Sequence, residues 1–340
     1  DADYLGAGDV FTSASSGNIG RFYPDHFEMS DDSLGNACNN FTYMSQPAIN
    51  VAYTLKAIGF KNGTLKNYDN TTLTGYAVAD ITYGVENEND GVNLSARFSS
   101  AFSTWDAGEY VVADTAAQFV RLAAGPDGVF PQLALGLELN DSLDSRVLQN
   151  LDMNADTTDD CVAGLSCVGA QLGANLDVRY GRLITADSFG SENALLPVKF
   201  QTEYWNGSAF VLNDDDSSSA PAASDGCTSV LRSRLRMGND SPLVNTVADF
   251  VVDVGANTTT GLFTADATDV FVDSGSAGLT FTAPGVTGSF SLQVVDVELW
   301  LRHDWNQDGD ATDSDLPVAT ISFGSFRGHD RIIYWREKLE

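Results

Sequence analysis

Residues 304 to 315 read DWNQDGDATDSD, and their spacing is that of a metal loop. Counted from Asp304, side-chain oxygens fall at the first, third and fifth places (Asp304, Asn306, Asp308) and glycine at the sixth (Gly309). Asp310 can offer a carbonyl at the seventh, Thr312 stands at the ninth and Asp315 at the twelfth. This is the ligand order of an EF-hand-type loop, and calcium accepts six to eight hard oxygens in tolerant geometry. The twelfth residue is aspartate rather than glutamate, a shorter arm, so modest affinity is expected. Calcium held by Asp304, Asn306, Asp308, Asp310 and Asp315 is the expectation. The plainer alternative is a solvated turn, since Asp, Asn and Gly favour turns unaided. A weaker copy occurs in LDMNADTTDD: Asp152, Asn154 and Asp156 repeat the alternation and Asp160 follows, but Thr157 stands where the glycine would be. That stretch is a candidate second metal site, with a polar loop as its alternative.

Other residues suggest binding more than catalysis. Trp305 lies inside the acidic loop and Trp205 precedes the turn WNGS, so these two of the five tryptophans are the candidates for exposed rings that stack on sugars. Arg232, Arg234 and Arg236 alternate in LRSRLRM and would share one strand face. They form either an anion patch or ion pairs with this chain's own carboxylates. His26, His303 and His329 each adjoin an aspartate, but neighbours on a strand point to opposite faces. No G-x-S-x-G, H-E-x-x-H, P-loop or G-x-G-x-x-G motif occurs. Four cysteines without a C-x-x-C pair, and three histidines, argue against zinc and for disulfides. Cys161 and Cys167 flank VAGLS and are expected to close a small loop, which leaves Cys38 with Cys227 by elimination.

The elements that must position these residues read as strands. Short alternating runs such as INVAYTLKAIGF, EYVVADTAAQFVRL, LALGLELN and LLPVKFQTEYW are separated by turn signals such as KNGT, GPDG and WNGS. DTAAQFVRLAA is the one candidate for a short helix. Val295, Val297, Leu299 and Leu301 alternate with polar or bulky residues before the acidic loop, and Ala319, Ile321 and Phe323 do so after it. Both flanks are predicted strands. The fold expected is all-β, with two β-sandwich domains of Ig-like or jelly-roll type, over about 21–180 and 181–337. Residues 1–20 read as a linker or the end of a preceding module, 338–340 as a vector remnant, and 213–226 as an exposed loop. The chain has 340 residues, 43% hydrophobic, ample for about two cores. With 18 basic against 47 acidic residues the net charge is −29, which argues against nucleic acid and anionic membranes and suits divalent cations. No apolar run approaches the eighteen or so residues of a membrane helix.

Several segments carry a resemblance: GRFYPDHFEMS, then FTYMSQP; RYGRLITADSFGSENALLPVKFQTEYWNG; LWLRHDWNQDGD; and the ending ATISFGSFRGHDRIIYWRE. Together the chain resembles the C-terminal region of MshQ-type proteins, encoded with the mannose-sensitive haemagglutinin (MSHA) type IV pilus of aquatic bacteria. The resemblance implies an extracellular, cell-surface component of that pilus system, in assembly or adhesion, with minor pilins or assembly proteins as partners and surface glycans as possible ligands. It carries over no catalytic residues. The expectation is therefore a non-enzymatic, secreted adhesion or assembly module. The rival is a carbohydrate-active enzyme using paired carboxylates, although nothing in the sequence selects a pair.

Overall fold

The computed structural model describes residues 23–72, 77–158, 166–218, 227–230, 234–237, 241–242, 248–254, 257–263, 270–285, 287–310 and 315–324. Among them the regular structure is β, with two single-turn 3-10 segments, Ser95–Arg97 and Leu299–Leu301. The all-β expectation holds.

Two sheets enclose the core of the first half. In one, Ile49–Ile58 lies between His26–Gly35 and Glu109–Phe119, and Phe98–Ser99 adds an edge. In the other, Asp80–Asn87, Phe130–Asn140, Leu176–Arg179 and Thr42–Tyr43 follow in that order, with Gly169–Gln171 also on Phe130–Asn140. Alternation drives this arrangement. Ile49, Val51, Tyr53, Leu55 and Ala57 are buried at every second position of one strand, and Leu133, Leu135 and Leu137 do the same opposite. Each of the larger aliphatic side chains among them contributes about 1.5–3 kcal/mol by leaving water.

The helix candidate DTAAQFVRLAA is a correction. Glu109–Phe119 is a strand, paired antiparallel with Ile49–Ile58. Val112, Ala117 and Phe119 point into the core, so burial overrides the local helix preference of the alanines.

The second half is again built from two main sheets. Leu196–Trp205 pairs with Gly181–Thr185, Phe210–Leu212 and Ser276–Phe281. Facing them, Gly288–Val294 lies between Val318–Phe323 and Leu235–Met237, with Ser188–Gly190 and Ser241–Pro242 at the edges. Two further two-stranded ribbons pair Ser229–Val230 with Val270–Phe271 and Ala248–Val254 with Asn257–Phe263.

The halves are not independent. Cys38, Phe41 and Tyr43 belong in sequence to the first half but are buried in the core of the second, with Phe200, Phe281 and Leu292. A disulfide joins Cys38 to Cys227, their Cα atoms 4.8 Å apart. Beside it Tyr43 donates its hydroxyl to Asp216 (2.9 Å) and accepts from the Asn213 amide (2.6 Å), and the Thr228 N–H also reaches Asp216 (2.9 Å). Arg179 completes the network by donating to Asn213, Asp177 and Asp215. Gly181 faces the Tyr43 ring so closely that a Cβ there would collide with it.

Candidate functional site

The acidic loop belongs to the connection 295–317, which joins the antiparallel neighbours Gly288–Val294 and Val318–Phe323. The strand expected over 295–301 is a correction. Asp296 takes a left-handed φ of 53° and Leu299–Leu301 forms a 3-10 turn. Val297 and Leu301 are buried as the alternation implied, but Leu299 is 38% exposed. The reason lies far away in sequence. The Arg121 guanidinium donates to the carbonyls of Leu299 (2.8 Å) and Arg302 (2.9 Å) and lies 3.8 Å from the centre of the Tyr180 ring. Carbonyls held by an arginine are not offered to a neighbouring strand.

Within the loop, Asp304 accepts the backbone N–H groups of Asp308 (3.0 Å) and Gly309 (2.9 Å) through its two oxygens. Asp308 accepts from Asp310 N–H (2.9 Å), and Asp315 from Asn306 N–H (2.7 Å). The Asn306 amide NH2 donates to both Asp308 (3.2 Å) and Asp315 (3.1 Å). Asp304, Asn306, Asp308 and Asp315 thus form one hydrogen-bonded ring, which Asp310 enters through its backbone. Left-handed φ angles at Gln307 (62°) and Gly309 (95°) make the turn, and glycine supplies the second at little cost. The donor set is all hard oxygen and strongly acidic, which fits calcium. The carboxylates are not drawn together around one point. Among the described residues, the group of three ligand-bearing side chains that does converge is Cys38, Asp216 and Cys227, and its two sulfurs are spent in the disulfide.

Next to this ring stands an aromatic row that sequence reading did not foresee. Trp305 is 38% exposed. It packs edge-on against His303 (centroids 4.8 Å apart), His303 against Phe210 (5.1 Å), and Phe210 against Trp205 (5.5 Å). Both tryptophans singled out from sequence therefore belong to one cluster, Trp305 at its wet end and Trp205 half-buried against the first core. Arg182 binds the row together. It lies 3.8 Å from the Phe210 ring centre and 5.6 Å from that of Trp305, and it is paired with Glu203 at 2.7 Å. Its guanidinium also meets His303 Nε2 (3.2 Å). A guanidinium only donates, so the imidazole is neutral there and its proton sits on Nδ1, which has no partner among the described residues. Burial, with Arg182 and Arg121 adding, pushes the His303 pKa down; Asp304 and Asp315 oppose it more weakly.

The remaining candidates separate. Asp152 accepts Gln171 N–H (2.8 Å) and lines a cleft with Asn154. Asp156 instead accepts from Asn93 (2.9 Å), and Asp160 lies outside the described residues. Arg234 is paired with Glu298 at 2.7 Å, the internal pairing weighed against an anion patch. Arg236 donates to the Leu235 carbonyl (3.0 Å), while Arg232 and Thr312 lie outside the described residues. Cys167 is disulfide-bonded, and Cys161 lies outside the described residues. His26 bonds Asp25 (3.0 Å) and Glu28 (3.1 Å). Asp25 precedes the strand His26–Gly35, so the opposite-faces rule does not apply to it.

Such tandem sandwiches, bridged by a shared disulfide and carrying polar loops at their surface, define a class of all-β modular protein. The chain is made of two DUF6701 domains, the third over residues 1–167 and the fourth over residues 179–338. No curated protein matches this chain. Among solved structures it is similar to the adhesin InvE of Yersinia pseudotuberculosis, at 11% identity over 87% of this chain and a TM-score of 0.24. The chain spans 58% of the length of InvE. The D00–D0 domain of intimin is matched at 8% identity over 88% of this chain and 100% of its own, with a TM-score of 0.27.

Proposed function

We propose that this chain is an extracellular, non-enzymatic module of a bacterial surface, part of an MSHA-type type IV pilus system, where it serves assembly or tip adhesion. Calcium bound by Asp304, Asn306, Asp308, Asp310 and Asp315 rigidifies the 295–317 connection and fixes Trp305 in place. The observation that carries the adhesive reading is the position of Trp305. It is an exposed ring at the end of an ordered row, adjacent to the acidic ring and bordered by a guanidinium. Exposed tryptophan offers an apolar face for sugar C–H groups, and the neighbouring polar groups take hydroxyls. The pilus assignment is supported by the sequence resemblance, whose segments fall in both domains. Among the described residues no helix is long and apolar enough to cross a membrane.

A glycan array probed with the intact chain in calcium tests the adhesive role. Retained glycans should be lost, by about tenfold or more, in Trp305→Ala, as for an aromatic anchor at an interface centre. A blank array together with capture by immobilised minor pilins would leave assembly as the role and remove adhesion.

A further inference from the structure

A second site lies on the outer face of the first domain, away from the calcium loop. Glu86 stands opposite Ala134 in the antiparallel pair of Asp80–Asn87 with Phe130–Asn140, so the two share a sheet face. That face is turned away from the sandwich core and bears a small apolar floor of Ala134, Met153 and Ala155. Above this floor opens a cleft of about 350 Å³. One wall is a chain of amides: Gln171 donates to Asn175 (2.7 Å) and Asn175 to Gln132 (3.1 Å), while Gln171 N–H holds Asp152 (2.8 Å). Glu88 stands at the rim on two consecutive left-handed residues, itself and Asn89 (both φ 53°).

Glu86 is the anomaly. It is 5% exposed, it lines the cleft, and its buried Oε2 has no hydrogen-bond partner among the described residues. Burial, with Asp90 adding, pushes its carboxyl up. Buried polar groups are ordinarily hydrogen-bonded, and one that is not calls for an explanation such as a missing ligand. Three carboxylates (Glu86, Glu88, Asp152) line the cleft, and among the described residues no Lys, Arg or His does. The missing partner must therefore bring donors and positive charge. A bare metal ion fits poorly, because no three of these carboxylates converge on one point. The cleft volume instead falls in the range of about 300–1,000 Å³ typical of small organic ligands.

We propose that the cleft binds a small ligand carrying a primary ammonium group, which Glu86 takes as its buried partner with Glu88 and Asp152 beside it. Hydroxyl or amide groups of the ligand meet Gln132, Gln171 and Asn175. An amino sugar and a lysine side chain present this same chemistry.

The test is calorimetric titration of the intact chain with glucosamine and with Nα-acetyl-lysine amide, each against its form acetylated on the amine. At least one amine should bind, its acetylated form about tenfold weaker or undetectable, and whichever binds identifies the source. Glu86→Gln should weaken the binding about tenfold. Glu88→Gln, at an exposed position that leaves the fold intact, should weaken it severalfold. Failure of both amines to bind, equal binding of acetylated and free forms, or affinity unchanged in both variants would overturn the proposal. So would occupation of the Glu86 site by calcium chloride alone, read by nuclear magnetic resonance, with neither amine able to enter.

Discussion

Replacing Asp216 with alanine is expected to destabilise the protein by roughly 3–5 kcal/mol in denaturant unfolding. Asp216 is fully buried and accepts from two groups that are themselves shut off from water, the Tyr43 hydroxyl and the Thr228 N–H. Each buried donor left without an acceptor costs about 1–3 kcal/mol. Tyr43 offers no relief, because burial, with Asp216 adding, holds its phenol well above the ordinary value and so protonated. The loss should exceed that of Tyr43→Phe, which takes the acceptor from the buried Asn213 amide but leaves the Thr228 N–H bonded to Asp216. The two changes should not add, since they share one bond. A cost below about 1 kcal/mol would mean that water reaches this network and that it does not hold the halves together.

The double substitution Cys38→Ser with Cys227→Ser should be as severe. The bridge closes a loop with a sequence separation of 189, and confining the unfolded chain to so long a loop is worth about 5 kcal/mol on the chain-entropy estimate. The lesion also falls in the core of the second half, where Cys38 and Cys227 are buried with Phe41 and Tyr43. Guanidinium unfolding of the intact and substituted chains measures it. An unchanged midpoint would show that the halves stay docked without the bridge. Because the Asp216 carboxylate lies within 4.8 Å of both sulfurs, combining the two lesions should cost less than their sum.

Sequence revealed the strand content because burial there follows a period of two, as from Ile49 to Ala57, which needs no knowledge of partners. It misled where a distant group decided the backbone. The alternation of Val295 to Leu301 is real in its burial of Val297 and Leu301, yet Arg121, some 178 residues away, takes the carbonyls and folds the segment into a turn. The alanines of DTAAQF favour a helix locally, but pairing with Ile49–Ile58 made them a strand. Trp205 and Trp305 could each be singled out from their neighbours. That Phe210, His303 and Arg182 would join them could not, because the contacts bring together residues as far apart in sequence as Arg182 and His303, 121 positions. Glu86 is one of 47 acidic residues and sits in an ordinary strand pattern. Only its burial without a partner marks it.

The calcium reading is tested most directly by scanning calorimetry of the intact chain in excess free calcium and in EDTA, beside the variant Asp304→Asn with Asp308→Asn. At a calcium concentration a hundred times the dissociation constant, binding to the folded state alone adds about 2.7 kcal/mol. That should raise Tm by roughly 4 °C for 340 residues that unfold together, and the variant should show no such rise. Superimposable curves in calcium and EDTA for the unsubstituted chain would contradict the account.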